Sequence, residues 1–172
     1  MARIVLTDAS PLIGLARIDG LPWLGELFGV VWMPPEVRRE VLPNRGLRDE
    51  TAILAAEAAS WLKQTDAAPS AVVLPDLDEG EAACIRLALA HPGARLVLMD
   101  ERAGRAVAME HGLAVAGTAA IIGMAKTRGL IGSARDVFAR LHGSDFRISA
   151  QVIATVLRRV GELESSRCAT RD

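Results

Sequence analysis

The stretch RIVLTDASPLIGLARI, residues 3–18, decides the fold. Residues 3–7 form a short apolar run without polar alternation, the pattern of a strand buried on both faces. The run stops at Asp8, and a helical pattern opens at once. Ser10 is placed as its N-cap and Pro11 at its first position, which predicts a helix over 11–18. A strand that turns directly into a helix is the opening of an α/β unit. Asp8 then stands where the strand ends. Aspartate favours turns and helix entrances for its own reasons. It also stands where open α/β sheets keep their ligands, beyond the carboxyl ends of the strands.

Four further runs read as strands of the same kind: VVWM (30–33), AVVL (71–74), RLVLM (95–99) and LAVA (113–116). Amphipathic patterns between them predict helices at 22–28, 35–42, 48–63, 79–90, 101–111, 118–128, 133–141 and 149–162. LPNRGLRD (42–49) and TDAAPS (65–70) read as loops. Strand and helix alternating in this way predict a three-layer α/β/α domain, with a central, mostly parallel sheet of about five short strands. One domain is expected over 1–162, followed by a disordered tail over 163–172.

Composition narrows the chemistry. With 172 residues and 51% hydrophobic side chains, the chain can bury a sizeable core. Aromatics make up 3%, with no Tyr, which is too few for a surface that stacks many bases on rings. A formal net charge of −1 offers no overall basic field for nucleic acid. It does not exclude a protein that reaches phosphates through bound cations, since these reverse the local sign. Two cysteines, Cys84 and Cys168, stand too far apart in the chain to suggest a disulfide framework or a zinc site. No signal peptide and no membrane-spanning run is visible, so a cytoplasmic protein is expected.

Four carboxylates ask for an explanation. Asp8 ends the first strand, and Asp100 follows RLVLM, so two aspartates stand at the carboxyl ends of the expected parallel strands. Glu81, in LDEGEAACIRLALA (77–90), shares a helix face with Ile85, Ala88 and Leu89. Asp78 and Glu81 also have the spacing of a capping box, which explains both without a ligand. Glu40, in PPEVRREV (34–41), flanks the apolar face of Val37 and Val41, with Glu36 one turn earlier. A solvated glutamate paired with a neighbour such as Arg39 is the plain alternative there. Carboxylates held close repel and resist ionisation unless a cation offsets them. Mg2+ and Mn2+ take such oxygen ligands, lower the pKa of bound water and stabilise in-line displacement at a phosphodiester. His91, His111 and His142 have no ligand-like spacing.

Taken in order, TDASPLIGLARI (7–18), PPEVRREV (34–41), LDEGEAACIRLALA (77–90) and LVLMDERAGRAVAMEHGLAVAGTAAIIGMAKTRGLI (96–131) resemble the PIN domain, in the branch that carries D-x-G-E and D-E-x-x-G-R. The resemblance runs from about residue 3 to 160. It implies the α/β/α fold and Mg2+- or Mn2+-dependent cleavage of RNA, typically as the VapC-like toxin of a toxin–antitoxin pair. The family's acidic quartet falls on Asp8, Glu40, Glu81 and Asp100, as catalytic residues and metal ligands. Asp78, Ser10, Glu101 and Thr118 fall where supporting groups stand. Many members have Asp where this chain has the longer Glu81. Arg102, Arg105 and Lys126 lie downstream of Asp100 as phosphate contacts, or as ordinary solvated cations. The resemblance also implies a homodimer and a cognate antitoxin.

Other α/β phosphate chemistries fit less well. A response-regulator receiver wants paired acids after its first strand, and an aspartate-nucleophile phosphatase wants D-x-D, whereas this chain has DAS. No G-x-x-x-x-G-K-[ST] or G-x-G-x-x-G occurs. A PIN-like module that binds RNA or protein without cutting is the alternative, and the complete acidic set argues against it.

Overall fold

The computed structural model describes residues 3–70, 72–74, 76–93 and 95–163. Along the chain run β1 (Ile4–Thr7), α1 (Ala9–Arg17), α2 (Pro22–Phe28), β2 (Val31–Met33), α3 (Pro35–Val41), α4 (Arg48–Ala58) and β3 (Leu62–Gln64). They are followed by α5 (Glu79–Ala90), β4 (Arg95–Leu98), α6 (Arg102–Glu110), β5 (Ala114–Ala116), α7 (Thr118–Thr127), α8 (Ala134–Gly143) and α9 (Ala150–Arg159). The five strands form one sheet in the order β3-β2-β1-β4-β5, and every pairing is parallel. Helices flank it, giving the three-layer α/β/α fold.

The order matters for function. The chain builds outward from β1 through β2 to β3, then returns to lay β4 on the other side of β1 and continues to β5. Strand order therefore reverses between β1 and β4, which is where doubly wound sheets open a crevice for ligands. β1 and β4 pair from Ile4↔Arg95 to Thr7↔Leu98, so they end level with each other. Asp8 and Asp100 follow these two ends. The central strands are apolar on both faces: Val5, Leu6, Val97 and Leu98 are buried, as are Leu12, Leu15, Ile85 and Ile122 on helices around them.

Three local expectations change. The described part of AVVL is not a strand. Residue 71 lies outside the described residues, and Val72–Leu74 form irregular structure. Leu74 is buried, Val73 is exposed, and the carbonyl of Val72 accepts a hydrogen bond from Arg86 Nε at 2.7 Å. The strand in its place is β3, which lies inside the stretch expected to be helix. The α4 helix stops because Ser60 takes a left-handed conformation, φ 66°, a position usually held by Gly. At the amino end, the first helix begins at Ala9, with Asp8 as N-cap residue, so Ser10 lies inside the first turn and does not cap it. Pro11 is tolerated because that turn's N–H groups have no helical partners.

Most of the expected tail, residues 164–172, lies outside the described residues. Just before it, Glu162 is firmly held. Its carboxylate accepts from the amides of Ala134 at 2.7 Å and Arg135 at 2.9 Å and from the Ser133 hydroxyl, and it pairs with Lys126 at 3.4 Å. Burial acts to raise its pKa, but these donors win and hold it down at about 2. The carboxylate thus caps α8 from outside the helix. Glu162→Gln is expected to lose about 1–2 kcal/mol at neutral pH, from weakened charge-assisted bonds. The depressed pKa fixes the sign: the stabilisation is present above about pH 4.5 and fades as pH falls towards 2. Melting curves from pH 7 to 3 that show no convergence of the variant with the wild type would count against this cap. Among the described residues, no helix is long and apolar enough to cross a membrane.

Candidate active site at the sheet switch point

Asp8 is fixed by backbone on both sides. Its own amide donates to the Leu98 carbonyl at 2.9 Å, tying the end of β1 to β4, and α1 starts at the next residue. Its side chain is 4% exposed, and Oδ1 has no hydrogen-bond partner among the described residues. Burial raises its pKa from 3.8 to about 7; the Ala9 amide works against the rise, and repulsion from Asp78, Glu40 and Glu81 adds to it. Beneath it, the Cys84 thiol donates to the Thr7 carbonyl at 3.3 Å, and burial with the nearby acids pushes this thiol up and keeps it protonated.

Glu81 is placed by the capping box foreseen from its spacing. Asp78 accepts from the Glu81 amide at 2.8 Å, and Glu81 Oε2 accepts from the Asp78 amide at 3.3 Å. Only one of its oxygens is used. Oε1 is buried and unpartnered among the described residues. Burial raises the Glu81 pKa, helped by Asp78, Glu101 and Glu40 and opposed by the Asp78 amide. Capping and a position at the centre therefore coexist in one side chain. Glu40, on α3, is exposed at the edge of the site; what burial its carboxyl has, and then repulsion from Asp78, raise its pKa. Glu36, one turn earlier, has Oε2 buried without a partner and adds to the negative field at Cys84 together with Asp8, Asp78 and Glu81.

Asp100 is held differently. The Thr118 amide donates to Oδ1 at 2.8 Å and the Thr118 hydroxyl donates to Oδ2 at 2.6 Å. Thr118 is fully buried at the start of α7, so it fixes the carboxylate plane. Burial raises the Asp100 pKa; Thr118 and Arg105 pull against it, and Glu101 pushes with it. Arg105 anchors its guanidinium on the Met99 carbonyl at 2.9 Å. Asp100 is thus held by its own bonds at the end of the neighbouring strand, and the charge it shares with Glu81 is that of Glu101, exposed at the start of α6.

Two glycines make this packing possible. A Cβ at position 104 would lie 2.5 Å from Glu81 Oε1 and 2.5 Å from Met99 Sδ. At position 117 it would meet Asp100 Oδ1 at 2.8 Å. Any other residue would push a carboxylate out of place. Gly104 and Gly117 are visible in DERAGR and AGT, but their steric role needs the third dimension.

Lys126 does not join the cluster. It stands at the far end of α7 from Thr118, about 12 Å along the axis, where it binds the Gly132 carbonyl and Glu162. Arg102 and Arg105 do border the cleft beside Asp100. Ser10 sits at the edge of α1's first turn, half-buried. Glu36, which the sequence places only as one turn before Glu40, has its Oε2 buried by the fold.

The donor set is entirely oxygen, it carries excess negative charge, and it leaves buried oxygens without partners. Those are the properties of a hard-cation site. Among the described residues, no three His, Cys, Asp or Glu side chains stand in metal-binding geometry. A PIN-domain family model matches residues 4–162. No curated protein matches at a significant level, and no solved structure does. Fold, switch-point acids and family match agree, and the chain belongs to the PIN-domain family, whose fold is of the nuclease type.

Proposed function

We propose that this protein is a metal-dependent ribonuclease that hydrolyses RNA phosphodiesters, with Asp8, Glu40, Glu81 and Asp100 as ligands of Mg2+ or Mn2+. The observation that carries it is the pair of buried, unpartnered oxygens, Asp8 Oδ1 and Glu81 Oε1, in a cluster whose carboxyl groups are held above their usual pKa. A divalent cation there would offset the repulsion, lower the pKa of water and stabilise charge on the reacting phosphate. The protein's own share is positioning. Thr118 fixes the plane of Asp100, the Asp78 amide anchors Glu81, and the Leu98 carbonyl holds the Asp8 backbone. Arg102 and Arg105, bordering the cleft at Asp100, are the proposed phosphate contacts. By its sequence resemblance, the proposed setting is a VapBC-like toxin–antitoxin pair, with a cytoplasmic homodimer whose acidic centre a cognate antitoxin blocks.

The test is cleavage of mixed RNA in Mn2+ by matched preparations of the wild type and Asp8→Asn. Cleavage by the wild type alone, stopped by EDTA, is the expected result. Equal cutting by both preparations would mark contamination. No cutting by either, with no rise in melting temperature on adding Mn2+, would favour a PIN-like module that binds without cutting.

A further inference from the structure

The cleft that reaches Asp100 continues well past it. Its volume is about 730 Å³, and it lies between the start of α6, the first turns of α7 and the length of α9. Arg102, Arg105, Arg147 and Arg159 line it, with Asp100 as the one carboxylate among the described lining residues. A second depression of about 470 Å³ adjoins it and shares Ala120, Val156 and Arg159. Arg3 and Arg128 line this one, again with no carboxylate among the described lining residues. The two make one trough with an aliphatic floor and six arginines on its walls. The chain as a whole has 20 Lys and Arg against 21 Asp and Glu, so this is a pronounced local separation of charge.

The arginines are also poorly neutralised. Arg147 pairs with Asp145 at 3.8 Å, but both side chains are well exposed, so the pair is weak. Arg105 bonds to the Met99 carbonyl, and the neighbouring Asp100 offsets part of its charge. No salt bridge to Arg102 or Arg159 occurs among the described residues. α9 opens against the cleft, with Ser149 capping it by accepting from the Val152 amide, so its amino-terminal dipole adds to the positive field.

We infer that this trough is the track for the phosphate backbone of a single-stranded RNA, leading away from the acidic centre across α7 and α9. The inference rests on the proposed ribonuclease function and deepens it. Charge complementarity and continuity with Asp100 favour a nucleic-acid strand over a protein segment. Asp8 is nearly buried, so the phosphate to be cut must enter a recess, which a flexible strand does more readily than a stiff duplex. Phe28, at the far end, is the sole ring among the described lining residues. Bases therefore find little to stack on, and binding in the trough runs through phosphates, with steep salt dependence and weak sequence preference.

Binding of a fluorescein-labelled, mixed-sequence single-stranded RNA, measured by anisotropy in EDTA, tests this without requiring cleavage. The Arg147→Gln, Arg159→Gln double variant is expected to bind at least tenfold more weakly. Its log K against log [salt] slope is expected to be shallower by about 1.4, for two lost single-strand phosphate contacts. Arg48→Gln, on the exposed pair with Asp19, is expected to behave as the wild type. The double variant's unchanged melting temperature and Mn2+ response would show that it folds and keeps its centre. Equal RNA affinity and equal slope in the double variant and the wild type would overturn the inference, as would no binding by the wild type. Tighter, arginine-dependent binding of a polyglutamate peptide would overturn it in favour of a protein ligand. Cleavage measured separately in Mn2+ keeps these failures apart from a failure of the ribonuclease proposal.

Discussion

At pH 7.5 in EDTA, Asp8→Asn is expected to melt above the wild type, although it removes a residue from the centre of the molecule. The Asp8 carboxyl titrates near 7 in the fold, against a usual 3.8, so the folded state resists its ionisation. A shift of that size is worth on the order of 4 kcal/mol at most. Side-chain movement relieves part of the repulsion, so a gain of about 2 kcal/mol is expected, or about 4–8 °C in a domain of this length. The sign follows from linkage. A raised carboxyl pKa gives a contribution that is fully present below about pH 4 and lost as pH rises to about 7. The advantage of the Asn variant should therefore be small at pH 4, open through pH 5 and 6, and level off above 7. Saturating Mn2+ should reverse the order. The wild type gains about 2.7 kcal/mol at a hundred times its dissociation constant, and the variant gains little. A variant that melts below the wild type in EDTA, by an amount independent of pH, would show that the charge at Asp8 costs the fold nothing.

The architecture was legible because the two decisive strands are buried on both faces. RIVLT and RLVLM are largely apolar and are each followed by an aspartate, so β1, β4 and the acids at their ends follow from the sequence; that the two strands are neighbours at a switch point is seen only in the sheet order. Asp78 and Glu81 were legible through capping-box spacing, and Thr118 through the family resemblance alone. What was not legible has physical reasons. β3 is an edge strand with one buried residue, Leu62, and exposed Lys63 and Gln64, so it carries no apolar signature. Ser60 ends α4 in a conformation where Gly would have been the visible signal. AVVL has the composition of a strand but finds no neighbour to pair with among the described residues. Lys126 has the charge for a phosphate contact and the wrong end of its helix. Glu36 carries no signal of its own in the sequence, because what buries its Oε2 is tertiary packing.

Gly104→Ala should do more damage at the centre than its size suggests. In an exposed helix the change would add about 1 kcal/mol of stability through propensity. Gly143→Ala, at the last residue of α8, meets nothing within 4 Å and should show a smaller gain, because a helix end frays. At position 104 the new methyl would lie 2.5 Å from both Glu81 Oε1 and Met99 Sδ. Met99 is fully buried at the end of β4, so the strain cannot escape in that direction. Glu81 must yield, and in yielding it gives up its bond to the Asp78 amide and its unpartnered oxygen's position. A destabilisation of about 1–3 kcal/mol is expected from overpacking. The functional loss should be larger: a displaced ligand of this kind is expected to lower cleavage by about 10²-fold and to weaken the Mn2+ stabilisation. A double-mutant cycle separates the causes. In a Glu81→Ala background the clash with the carboxylate is gone, so Gly104→Ala should cost less stability there than in the wild type, leaving only the contact with Met99. If Gly104→Ala keeps wild-type cleavage and the full Mn2+ response, Glu81 is not held by that glycine, and its buried oxygen is not what the centre depends on.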